Sequence, residues 1–262
     1  MADVLKKIAA YKADEVKTLK RNTSLKTLRS LAAGQIPPRG FASALKNRSR
    51  THPALITEVK KASPSKGVIR EDFDPVSIAK SYEIGGATCL SVLTDGPGFQ
   101  GSNEIFADVR AAVSLPLLRK DFMLEPIQIA ESRAMGADCV LVIMAMIDDK
   151  AACALIKEAE RHGMDVLMET HDRNELERAL ALGSKFIGIN NRDLRTFHTT
   201  LKTFEDLAQN VPQDITLIAE SGIFTPDDIT HLTTFGADGF LIGESLMRQD
   251  DIISATQKLC FT

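Results

Sequence analysis

Short apolar runs recur along the chain, and the stretches between them change period. The runs are ALITEVK (54–60), ATCLSVLTD (87–95), LPLLRKD (115–121), ADCVLVIM (137–144), MDVLMET (164–170), KFIGINN (185–191), ITLIAES (215–221) and DGFLIGE (238–244). Each has strand length and is mostly apolar on both faces, the pattern of a strand covered from two sides. They recur roughly every 20 to 30 residues, the length of a βα unit. Between them the period becomes helical. In DPVSIAKSYEIGGA, Val76, Ile78, Ala79 and Tyr82 share one helix face and Gly85-Gly86 ends it. EPIQIAESRAMGAD, DKAACALIKEAERHG, DRNELERALALGS and TPDDITHLTTFGAD repeat the form, and Thr225-Pro226 supplies an N-cap followed by proline at the first helical position. Eight such units in roughly 210 residues predict a closed (β/α)8 barrel rather than an open doubly wound sheet.

Residues 1–50 precede the first unit. Val4, Leu5, Ile8, Val16 and Leu19 predict one or two amphipathic helices, which PPRG (37–40) links to the first strand. A unit of that size has too little core to stand alone, so it reads as an N-terminal helical extension of a single 1–262 barrel domain.

Composition narrows the function. A formal charge of −3, from 32 basic and 35 acidic residues, gives no electrostatic case for nucleic-acid binding. No apolar run is long enough to cross a bilayer, and MADVLKKIAAYKADEVKTLKR lacks the apolar centre of a signal peptide. Cys89, Cys139, Cys153 and Cys260 have no C-x-x-C spacing and read as reduced thiols, so the expected compartment is the cytoplasm. Oligomeric state is not set by the sequence; a monomer is the working expectation.

The polar chemistry collects at the strand ends. In ITEVKKASPSKG, Glu58 and Lys60 fall on the same side as Ile56, and a Ser/Pro/Gly loop follows. Lys120 with Asp121, Glu169, Asn190 with Arg192, Glu220 with Ser221, and Glu244 occupy equivalent places in later units. Titratable groups converging at the C-terminal mouth of a barrel predict a catalytic site. By alternation with Leu118, Lys120 points into the mouth and Arg119 toward the helix layer. AESGI (219–223) and FLIGESLMR (240–248) place glycines after apolar strands. GESLM is expected to start a short helix, and together these turns predict a phosphate site. GPGFQG (96–101) matches G-x-G-x-x-G, but Pro97 sits inside the turn and the run belongs to the second unit, so a substrate loop is expected rather than a dinucleotide site. His52, His162, His171, His198 and His231 form no ligand cluster; His171 follows the fifth strand and could touch the site, but all five read rather as surface or structural, and no metal site is expected.

Taken in order, PPRGF, E-x-K-x-x-SPS-x-G, SVLTD…FQGS, LRKDF, GADCVLVI, ETH, IGINNRDL, AESGI and LIGESLM resemble indole-3-glycerol-phosphate synthase, the ring-closing enzyme of tryptophan biosynthesis, over about residues 1 to 250. The resemblance implies a carboxy-lyase. Its substrate would be 1-(2-carboxyphenylamino)-1-deoxyribulose 5-phosphate, closed with loss of CO2 and water and without metal or cofactor. It implies Lys120 as general acid and Glu169 as its acid/base partner. Lys60 and Glu58 would engage the carboxylate and reacting region, and Asn190, Arg192 and Glu220 would complete the polar shell. Ser63, Ser221, Gly222 and Gly243 would hold phosphate, with Glu244 contributing its backbone where some members have serine. Phe99, Phe122, Leu141 and Leu194 would form an apolar slot. Lys120 is expected to be crowded by cations that lower its pKa. The SPSKG loop is expected to bring Ser63 to the phosphate and to close over the site. Other phosphate-binding barrels, such as phosphoribosylanthranilate isomerase or a thiamine-phosphate-type synthase, and a non-catalytic phosphometabolite-binding barrel are the competing readings. E-x-K on the first strand with RKDF on the third argues against the other enzymes.

Overall fold

All eight apolar runs form strands: β1 (Leu55–Val59), β2 (Cys89–Leu93), β3 (Leu117–Lys120), β4 (Cys139–Ile143), β5 (Asp165–Thr170), β6 (Phe186–Asn190), β7 (Thr216–Glu220) and β8 (Gly239–Ile242). The computed structural model describes residues 3–261; Met1, Ala2 and Thr262 lie outside the described residues. Each strand pairs in parallel with the next, and β1 also pairs with β8, so the sheet closes into a (β/α)8 barrel.

Apolar residues on both faces serve two separate cores. Leu55, Leu90, Val92, Val140, Val142, Met168, Ile187 and Leu217 face outward against the helices. Ile56, Cys89, Leu118, Cys139, Leu141, Leu167, Ile218 and Leu241 fill the inside. A one-residue slip would exchange the two sets, so burial fixes the register. One step toward the C-terminal ends, the inward positions turn polar, with Glu58 opposite Ser91, Glu169 opposite Gly188 and Asn190 opposite Glu220.

The helices Pro75–Ile84, Pro126–Ala134, Asp149–Arg161, Arg173–Ala181 and Pro226–Thr234 form where the period predicted them. At the last of these, Thr225 and Asp228 make a reciprocal capping box. Among the described residues no helix is long and apolar enough to cross a membrane. The four cysteines are unpaired, and Cys89 and Cys139 sit inside the barrel.

The N-terminal segment differs from expectation. It forms three helices, α1 (Asp3–Asn22), α2 (Leu25–Ala33) and α3 (Phe41–Arg48), and PPRG leads into α3 rather than into β1. With only Phe41 and Leu45 buried, α3 is too short to show a helical period in the sequence. Those two side chains join the interior core, and Phe41 lies 6.1 Å from Phe186 at the start of β6. The Arg39 and Ala42 N–H groups bond to Asp138 and Asp165, at the N-terminal ends of β4 and β5. So α3 closes the bottom of the barrel.

The opposite mouth is crossed by α1. Leu5 and Ile8 join the interior core, while Val16 packs with Leu28, Ile127 and Ala130. Between these contacts Lys12 is 1% exposed. Its Nζ lies 2.7 Å from Asp121 and 2.9 Å from Asp95, and Tyr11 Oη donates to Asp95 at 2.9 Å. Burial would lower the Lys12 pKa, but Asp121, Glu15 and Asp95 outweigh it and raise it. Lys12→Met would leave two buried carboxylates facing one another. The variant is expected to lose about 3 kcal/mol in urea unfolding, the lower end for breaking a buried ion pair, since Arg119 still faces Asp121. A loss below about 1 kcal/mol, the scale of an exposed pair, would show that this cluster does not hold α1 in place.

Candidate active site

Three carboxylates and two ammonium groups meet where the barrel opens. Lys120 ends β3 with its side chain 14% exposed; its Nζ donates to Glu169 Oε2 and to Glu220 Oε2, each at 3.0 Å. Lys60, just beyond β1, lies 2.5 Å from Glu58 Oε1. Asn190 Nδ2 donates to Glu169 Oε1 at 3.2 Å. Gly188 leaves room for the Glu220 carboxylate, since a Cβ there would meet its Oε1 unless the acid moved away from Lys120. As alternation predicts, Arg119 turns outward to Glu131 at 2.8 Å and Asn103 at 3.0 Å.

The environment of Lys120 reverses the expected sign. Its neighbours are carboxylates, not cations. Burial would lower its pKa, yet Glu169, Glu220 and Glu58 together hold it above the ordinary lysine range. The three acids differ from one another. Burial would raise Glu169, but Lys120 and His171 bring it well below the usual carboxylate range. Burial likewise opposes ionisation of Glu58, and Lys60 and Lys120 lower it. Glu220 is pushed up to about 7, first by burial and then by Glu169, with Lys120 opposing. One site thus holds one acid drawn toward its ionised form and one pushed toward its neutral form, the kind of separation an acid/base pair needs.

Every candidate catalytic and substrate-binding residue lines one cleft of about 1200 Å3, its open mouth included. One wall is apolar, with Phe99, Phe122, Leu141 and Leu194; the Phe99 and Phe122 rings are 6.1 Å apart. The other wall is built from turns. Ser221 and Gly222 follow β7 with φ of 65° and 79°, and Gly243 precedes a single helical turn, Glu244–Met247. A Cβ on Gly243 would stand 2.5 Å from Glu58 Oε1, so this glycine also makes room for the acid. The SPSKG loop forms a two-residue ladder, Ala62–Ser63 against Gly67–Val68, which carries Ser63 to the cleft. Arg192 Nη1 donates to Ser65 at 3.4 Å, and its Nη2 lies 3.6 Å from Glu244. The Glu244 side chain is therefore turned to Arg192 and Arg248 rather than left free. GPGFQG folds as a helical turn, Gly96–Phe99, capped by Asp95, and delivers Phe99 to the apolar wall.

One part of the site was not foreseen. Val4, Leu5 and Ile8 of α1 line the cleft; their apolar spacing predicts a helix but not which mouth it covers. His171, whose place after the fifth strand put it within reach of the site although a surface or structural role was expected, lies 3.1 Å from Glu169.

The family model described as indole-3-glycerol phosphate synthase matches residues 5–259. The chain belongs to the indole-3-glycerol phosphate synthase family. Relatives of that name share 54% identity over 250 residues in Hyphomonas neptunium, covering 95% of this chain and 94% of the other. In Azospirillum brasilense the figure is 50% over 260 residues, 99% of each chain. A thiamine phosphate pyrophosphorylase from Pyrococcus furiosus superposes with a TM-score of 0.59 at 16% identity, covering 82% of this chain and 95% of that one; at that identity it shows the barrel alone. Indole-3-glycerol phosphate synthase membership accounts for the order of the strand-end motifs, which a barrel fold by itself would not require.

Proposed function

We propose that this cleft closes the indole ring, converting 1-(2-carboxyphenylamino)-1-deoxyribulose 5-phosphate to indole-3-glycerol phosphate with loss of CO2 and water. The observation that carries the reading is the Lys120–Glu169 pair in a cleft where Phe122, just after β3, and Leu141 of β4 stand across the closed barrel from the glycine turns after β7 and β8. A flexible substrate with an aromatic ring at one end and a phosphate at the other must be folded so that ring carbon meets ketone, and two anchors do this. Phe99, Phe122, Leu141 and Leu194 take the ring. Ser63, Arg192, Ser221, Gly222, Gly243 and the Glu244 backbone take the phosphate. Lys60, steadied by Glu58, faces the substrate carboxylate.

When the ring carbon attacks, the carbonyl oxygen becomes an alkoxide. Lys120 gives it a proton; an alkoxide is basic enough to take one even from an ammonium held by carboxylates. Glu220, at 3.0 Å and titrating near neutrality, is placed to return that proton. CO2 then leaves and restores the aromatic ring. Loss of water needs a proton taken from the neighbouring carbon and one given to the departing hydroxyl; ionised Glu169, with Asn190 holding its second oxygen, is suited to take that proton and then return it to the hydroxyl. We place the enzyme in the cytoplasm, where its four unpaired cysteines stay reduced.

Indole fluorescence tests the reading. The intact substrate is expected to be turned over. An analogue without phosphate should bind at least about a hundredfold more weakly, the loss of two or more charge-assisted hydrogen bonds. Inorganic phosphate should compete with substrate. Equal binding of both compounds would place the phosphate elsewhere.

A further inference from the structure

Lys120 and Asn190 account for one side of Glu169, and a second charged group stands behind it. His171 follows β5 and does not line the cleft. Its side chain is 10% exposed, and its Nε2 lies 3.1 Å from Glu169 Oε1 without an aligned hydrogen bond. On the other side of the ring, Nδ1 is 3.0 Å from Glu175 Oε2. The same Glu175 oxygen accepts the His171 backbone N–H at 2.8 Å. Glu175 is itself fixed as the third residue of the helix Arg173–Ala181, where its N–H donates to the N-cap Asp172 at 2.9 Å. The helix start therefore sets Glu175, Glu175 sets the ring, and the ring faces the catalytic carboxylate.

The chemistry of the ring decides its charge. A neutral imidazole has one nitrogen without a proton, and between two carboxylates that nitrogen would face lone pair against lone pair. An imidazolium presents a proton to each. Two carboxylates face the ring, Glu169 from the end of β5 and Glu175 from the helix. Beyond Glu169 stand Lys120 of β3 and Glu220 of β7. Charges thus alternate along Glu175, His171, Glu169 and Lys120.

We propose that His171 is a positioning residue for ring closure: held as an imidazolium between Glu175 and Glu169, it keeps Glu169 ionised and its Oε2 turned to Lys120. The inference rests on the reading of Glu169 as the acid/base partner. Burial would lower the His171 pKa, but Glu169 and Glu175 carry it up to about 10. The pairing acts in reverse on Glu169, where His171 adds to Lys120 in favouring the carboxylate. A helix-capping role alone would need only the backbone N–H and would leave the charge of the ring without consequence.

Two measurements on the full chain test this. In the first, ring-labelled histidine is followed by nitrogen NMR, with His171 assigned from the signal lost in His171→Asn. Its shifts are expected to stay those of an imidazolium to about pH 8, well past the ordinary histidine midpoint of about 6.5. A titration near that midpoint overturns the proposal. In the second, kcat and KM are compared at about pH 7. Loss of the imidazolium removes one of the two charges that hold Glu169, so folded His171→Asn should lose about tenfold in kcat, the equivalent of one pKa unit of interaction. KM should stay within about twofold, because the ring does not line the cleft. Glu175→Gln should lower kcat by less. A kcat that stays at the parent value in folded His171→Asn, while Glu169→Gln is inactive, also overturns the proposal. Full turnover in Glu169→Gln would instead sink the assignment of Glu169, and the ring titration would still decide His171.

Discussion

Lys120→Arg is expected to lower turnover about 10² to 10⁴-fold, the span of a lost acid–base group, with little change in substrate affinity. Arginine keeps the positive charge between Glu169 and Glu220, so binding that depends on charge survives. What it loses is the proton, because a guanidinium does not release one near neutrality. Its planar fork also cannot copy the two 3.0 Å contacts that a single Nζ makes to carboxylates from β5 and β7. The carboxylate surroundings add a second expectation. Since they raise the lysine pKa, Lys120 should contribute no alkaline limb to kcat below about pH 10, its ordinary value. Lys60→Arg is the comparison. Paired with Glu58 and facing the substrate carboxylate, it should change KM more than kcat. Steady-state kinetics of both variants across pH, with folding checked by circular dichroism, decide the matter. Near-full turnover in Lys120→Arg beside collapse in Lys60→Arg would show that the two lysines exchange roles.

Glu169→Gln should cost a similar factor, again about 10² to 10⁴ in kcat. Glutamine fills the same volume and still offers an oxygen to Lys120, but it carries no titratable proton. Its charge also vanishes from beside Glu220. Glu169 is part of what raises Glu220, so the variant should show a lower Glu220 pKa, and any residual activity should lose its dependence on pH near 7. Kinetics of the folded variant check this. Turnover within about threefold of the parent, far short of a lost acid–base group, would remove Glu169 from the chemistry and leave Lys120 with Glu220 as the working pair.

The barrel was legible because each strand is apolar on two faces and each unit repeats. That alternation also sorted Lys120 from Arg119 correctly, since neighbouring residues on a strand must point to opposite sides. The polar cleft residues followed from their place at strand ends, whereas Ser63 and the apolar slot came only with the family resemblance. The electrostatic sign around Lys120 did not. Glu58, Glu169 and Glu220 come from β1, β5 and β7 and become neighbours only when the barrel closes, so no local pattern shows that they enclose one ammonium. What holds His171 was hidden for a related reason. The residue that holds it, Glu175, belongs to the following helix, and its hydrogen bonds cross the strand–helix turn. At the N-terminus, one apolar pair, Phe41 and Leu45, was too little signal for α3. Amphipathic spacing likewise gave α1 its buried face but not the mouth it crosses.

The central claim is that one cleft performs both the ring closure and the decarboxylation. The direct measurement incubates the purified protein with substrate labelled in its carboxyl carbon, and follows labelled CO2 and indole fluorescence together through a single turnover. The account predicts one CO2 for each indole-3-glycerol phosphate formed, with both signals slowed together in Lys120→Arg. Substrate that binds and yields neither product, or CO2 released without indole, would contradict it.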